Sequence, residues 1–135
     1  MSPHRRALQM GRELLEGGAA EEALEWFERA LESAPREDVD ARIEAMRGKG
    51  AALRALGRSG AALQCLEQGQ WIAPGNPQLL SDIAQIVGEL DLSGLTGEPW
   101  LAVQRTMEGV ATALERRGRH AQALMLCDRI LEREP

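Results

Sequence analysis

The sequence predicts an all-α chain built from recurring helical hairpins. Three observations predict it. The stretch "EEALEWFERALESAP" (21–35) returns in altered form as "GAALQCLEQGQWIAP" (60–74) and again as "HAQALMLCDRILEREP" (120–135). The composition is rich in Ala, Leu, Glu and Arg, while aromatics make up only 3% and Tyr is absent, so residues that favour strands are few. Gly18, Gly57 and Gly118, and Pro35 and Pro74, fall between apolar-periodic segments, which is where helices stop.

Seven helices follow in order, at about 4–17, 20–33, 38–57, 60–72, 77–90, 99–117 and 120–133. The first ends at Gly18, a residue suited to the left-handed C-terminal cap. The second carries Ala23, Leu24, Phe27 and Ala30 at helical spacing and closes before Pro35, which cannot continue the hydrogen-bond ladder. Asp38 is placed to cap the third, which runs to about Leu56 and stops at Gly57. The fourth ends before Pro74. Asn76 and Pro77 give the fifth its cap and first residue. "DLSGLTGE" then interrupts the pattern, with a looser join expected at about 91–98 and Pro99 opening the sixth helix. Gly118 separates the sixth helix from the seventh.

The three recurring segments align without a gap when set on Pro35, Pro74 and Pro135 and extended backwards. Gly11, Gly50 and Ala111 then coincide, as do Leu14, Leu53 and Leu114, and Gly18, Gly57 and Gly118. Further along come Ala23, Ala62 and Ala123, then Leu24, Leu63 and Leu124, then Phe27, Leu66 and Cys127, then Ala30, Gly69 and Ile130. The small residues allow close helix approach, and Ala23, Ala62 and Ala123 are expected to be buried at tight contacts. The first two copies lie 39 residues apart and the last two 61 apart, the longer gap holding one additional, degenerate helical segment.

This pattern resembles the tetratricopeptide repeat (TPR) family, whose signature is W-x2-L-G-x2-Y, then A-x3-F, then P, in about 34 residues. The copies read Ala7-x2-Met10-Gly11-x2-Leu14 with Ala23-x3-Phe27 and Pro35; Met46-x2-Lys49-Gly50-x2-Leu53 with Ala62-x3-Leu66 and Pro74; and Met107-x2-Val110-Ala111-x2-Leu114 with Ala123-x3-Cys127 and Pro135. The small residues and prolines match, whereas the aromatic positions are mostly Met, Leu, Ala or Cys. The resemblance implies a single domain over 1–135 with a right-handed superhelix of antiparallel helices. Its repeats would span about 4–37, 43–76 and 104–135, with a degenerate insert at 77–103. It also implies a protein-interaction scaffold whose first helices line a concave groove for a peptide segment or partner helix. The corresponding positions are Arg5, Leu8 and Arg12, then Arg47, Ala51 and Arg54, then Arg105, Glu108 and Thr112. Several are Arg in an acidic chain, so an acidic or carboxylate-bearing segment is the expected ligand. The Lys and Asn clamp with which chaperone-binding members hold a terminal carboxylate is not reproduced, since Leu8, Arg12 and Gly48 stand at its positions. Two other readings fit the resemblance: a dedicated chaperone or assembly factor of the small secretion-chaperone type, and a regulatory piece excised from a longer repeat protein or enzyme.

Chemistry is sparse. A net charge of −5 argues against a nucleic-acid binder, although Arg outnumbers Lys fifteen to one. The two cysteines, Cys65 and Cys127, sit inside helical patterns without a CxxC partner and read as buried thiols in a reducing compartment, the cytoplasm. His4 and His120 read as solvated residues near helix starts. No metal-ligand spacing, catalytic triad or phosphate loop appears, so the expectation is a non-enzyme without cofactor or metal. The basic opening stretch lacks the apolar run of a secretory signal, and no segment reaches a membrane span. Nothing polar follows the last copy. Ala123, Leu126, Cys127, Ile130 and Leu131 are therefore expected to form an uncovered strip that meets a second copy, another protein or downstream residues.

Overall fold

The computed structural model describes residues 2–89 and 97–133. Seven α-helices occupy them: α1 (Pro3–Glu16), α2 (Ala20–Ser33), α3 (Val39–Ala55), α4 (Ser59–Ile72), α5 (Pro77–Glu89), α6 (Gly97–Arg116) and α7 (His120–Arg133). No strand occurs among the described residues. Each boundary lies within about two residues of its predicted place, with α6 opening at Gly97 rather than at Pro99. Most of the predicted join at 91–98 lies outside the described residues, and its last two positions belong to α6.

The helix ends have local causes. Three hairpin turns share one geometry, with Gly18, Gly57 and Gly118 at φ of 85°, 78° and 75°. In each, the amide just after the glycine, three residues beyond the helix, reaches back to the aligned leucine. Ala19 donates to the Leu14 carbonyl at 2.8 Å, Arg58 to Leu53 at 2.8 Å and Arg119 to Leu114 at 2.9 Å. This is the Schellman cap, which satisfies carbonyls that the helix leaves open. Asp38 caps α3 by accepting from the Ala41 amide at 3.1 Å. Asn76 caps α5 through the amides of Gln78 and Leu79, at 3.0 and 3.1 Å.

The helices group into two compact units, Met1–Ala73 and Pro74–Pro135. In the first unit α1 packs on α2, α2 on α3 and α3 on α4, with α1 also touching α3. Its core contains Ala7, Leu8, Ala23, Phe27, Ala30, Ala41, Ala45 and Ala52. The only phenylalanine of the chain is wedged between two bare backbones. A methyl group at Gly11 would meet its ring at 2.8 Å, and one at Gly48 would come closer still. Gly50 receives Leu66 in the same way in the second copy. In the second unit α6 pairs with α7, and α5 packs on both. Leu79, Leu80, Ile83, Met107, Leu114 and Leu126 are fully buried there.

Ala23, Ala62 and Ala123 are buried, as the alignment predicts. Other positions depart from expectation. His4 is not solvated: it is buried, and its Nε2 lies 3.2 Å from Asp38 Oδ2, because the start of α3 closes over the first turn of α1. Cys65 is a buried thiol, but Cys127 is exposed. The predicted strip on α7 is split. Ala123 and Leu126 point inward and are covered, whereas Cys127 and Leu131 face outward. The side chain of Ile130 lies outside the described part.

Candidate functional site

Apart from Leu8, the predicted ligand-facing positions of the first two copies lie along the seam where α1 and α3 run side by side. Charges cross this seam. Arg12 pairs with Glu44, and Arg5 lies 3.6 Å from Asp38. Arg47, Ala51 and Arg54 follow Glu44 along the same side of α3, at helical spacings of three, seven and ten residues. Arg5, Arg12 and Ala51 are exposed, and Arg47 and Arg54 are half-buried. Lys49 adds a link to α2, 3.9 Å from Glu28.

Leu8 does not belong to this surface. It is 2% exposed and sits in the core, because the Ala7–Leu8–Gly11 side of α1 is the one that meets its neighbours. Nor are the arginines waiting open, since Arg5 and Arg12 already face Asp38 and Glu44. An incoming carboxylate would exchange with these internal partners rather than fill an empty clamp. In the second unit Arg105, Glu108 and Thr112 are exposed along α6. Gln104 donates to the Glu108 carboxylate at 3.4 Å, and the Thr112 hydroxyl donates to the Glu108 carbonyl at 3.0 Å.

Asp38 is the most constrained ionisable group on the seam. The hydrogen bond from the Ala41 amide holds its pKa below the ordinary carboxylate value, helped by the His4 hydrogen bond and the nearby Arg5 charge, against a smaller upward push from partial burial. On the inner side of α3, the Cys65 thiol is directed at the Met46 carbonyl, 3.6 Å away, and burial pushes its pKa up. Both features suit structural roles: a helix cap and an inert core thiol.

One surface was not predicted. Pro3, Arg6 and Ala7 of α1 and Trp26, Arg29 and Ser33 of α2 line an open cavity of about 450 Å³. The Arg29 guanidinium stacks over the Trp26 ring, 4.7 Å from its centroid. The sequence carries a signal for it: Trp26 aligns with Cys65 and Leu126, so the bulkiest of the three residues stands where the other copies have smaller ones. Trp71, at the end of α4, is 83% exposed and is a second large apolar group in solvent. Among the described residues no cluster of His, Cys, Asp or Glu could hold a metal ion, and no helix is long and apolar enough to cross a membrane.

No family model matches the chain, and no curated protein matches it. Among solved structures, the chain is similar to the TPR domain of Arabidopsis FLU. The likeness covers 97% of this chain and 93% of that one, at 20% identity and a TM-score of 0.47.

Proposed function

We propose that the chain is a protein-binding scaffold that presents the α1–α3 seam to an acidic partner segment. The observation that carries this reading is the alignment of Arg5, Arg12, Arg47 and Arg54 along two adjacent helices of a chain whose net charge is −5. Planar guanidinium forks suit carboxylates, and Glu44 and Asp38 act as internal stand-ins that a partner's carboxylates displace. Ala51 leaves room between the arginines for the partner backbone. Arg105, Glu108 and Thr112 are the corresponding positions of the third copy and, within the second unit, offer α6 for the same kind of contact. Two unpaired thiols fit a reducing compartment, the cytoplasm.

The partner is to be identified by affinity purification with mass spectrometry, then prepared alone and titrated calorimetrically. Binding is expected to weaken as salt rises, since exposed charges are screened beyond about 10 Å at 0.1 M. The Arg47→Glu, Arg54→Glu variant is expected to bind at least about tenfold more weakly, the scale of a lost charged contact. Equal affinity, with a far-ultraviolet spectrum matching wild type, would rule the seam out as the binding face.

A further inference from the structure

The cavity on the first hairpin and the outer face of α7 are complementary, and the third copy shows how such a cavity is filled. Arg129 aligns with Arg29, and Leu126 with Trp26. In the third copy this place is covered by α5. Leu126 is fully buried, and Arg129 Nη2 donates to the Val87 carbonyl at 3.1 Å. Val87 lies in the last turn of α5, whose carbonyls have no partner within the helix. An arginine at this position of the hairpin therefore receives a packed helix. In the first copy the same place holds Arg29 stacked on Trp26 with Arg6 beside it, and no described helix covers it. Neither guanidinium has an ion pair among the described residues.

The outer face of α7 offers the counterpart. Leu124 and Leu131 are 61% and 64% exposed, and Met125 is 44% exposed. Asp128 and Glu132 lie among them, both exposed and without an ion pair among the described residues. At 100° per residue these side chains form one continuous stripe, with two carboxylates set one helical turn apart beside the leucines.

We propose that α7 of one chain docks in the Arg6–Trp26–Arg29 cavity of a second copy. Asp128 and Glu132 reach the two guanidiniums, and the apolar side chains cover Trp26. The contact is heterologous: each chain offers two different surfaces, so association continues as a ring or a chain of copies rather than stopping at a two-fold dimer. It uses neither α3 nor α6 and stands apart from the seam proposed for partner binding. A face one helix wide is at the small end of specific interfaces, below about 1,200 Å², which sets the expected affinity in the micromolar range.

The test is multi-angle light scattering on the full chain from about 1 µM to about 1 mM. The mass is expected to rise with concentration past that of a dimer. Two charge-reversed variants are compared, Arg6→Glu with Arg29→Glu and Asp128→Arg with Glu132→Arg. Each alone is expected to remain monomeric with unchanged helicity. Mixed one to one they are expected to associate again, because the α7 of the first and the cavity of the second are both unaltered. Three results would each overturn the proposal: a wild-type monomer at every concentration, a cavity variant that still self-associates, or a mixture that stays monomeric.

Discussion

Phe27 is held on two sides by backbone, at Gly11 and Gly48, and that single arrangement sets the sign of a substitution. In an isolated helix Ala is preferred over Gly by about 1 kcal/mol. Here the added methyl collides with a ring that cannot retreat from one glycine without meeting the other. Gly48→Ala is therefore expected to destabilise the chain by about 1–3 kcal/mol, measured by denaturant unfolding. Phe27→Leu in the same chain should recover part of that loss, and simple additivity of the two changes would contradict the packing account. Asp38 gives a pH-dependent case. Its pKa is lowered in the fold by the Ala41 amide, His4 and Arg5. The stability it contributes is thus complete above the ordinary value of 3.8 and is lost as pH falls from there through the lower folded value. Asp38→Asn keeps an acceptor for the cap but not the charge. The melting temperature of the wild type should exceed that of the variant at neutral pH, and the gap should close below about pH 3.8. A gap that widens in acid would contradict the sign of the shift.

At the scale of the element, α2, α4 and α7 descend from one pattern and differ in what covers them. Phe27 and Leu66 are buried, and Cys127 at the same position is exposed. A maleimide reagent is accordingly expected to label Cys127 rapidly and Cys65 only on unfolding, with each site read by mass spectrometry after digestion. Comparable rates at both would contradict the packing of α4. Helix boundaries were legible in the sequence because their causes are local: Gly18, Gly57 and Gly118 turn the chain, Asp38 and Asn76 cap, and Pro35 and Pro74 stop. The exposure of α7 was legible only in part: an uncovered strip was expected, but spacing cannot show that Ala123 and Leu126 turn inward while Cys127 and Leu131 face out. Leu8 was misplaced for a related reason. Spacing assigns it to a face but cannot fix how far α1 is rotated about its axis, and a leucine beside Ala7 and Gly11 is drawn into the core.

For the whole molecule, the division at Ala73 and Pro74 makes the first two hairpins a unit with its own hydrophobic centre. A fragment of residues 1–73 is expected to be helical and to unfold cooperatively in urea. A gradual, non-cooperative loss of helix would show that its core depends on the rest of the chain. The candidate surfaces were legible to different degrees. The arginines of α1 and α3 were singled out by repeat position alone, whereas the pairing of Arg5 with Asp38 and of Arg12 with Glu44 depends on which helices meet. The cavity around Trp26 needed both helices of the hairpin in place, since Arg6 and Arg29 are far apart in sequence and nothing in either segment alone brings them together.

The ring between the two glycines also fixes a width. Phe27 acts as a rigid shim between α1 and α3: its ring fills the space between two bare backbones and leaves little play in their separation. The separation of α1 and α3 along their seam is therefore set by the core rather than by anything laid on the surface. The partner segment proposed for the seam would not spend binding energy on bringing the two helices to that separation, and more of its contact energy would appear as affinity.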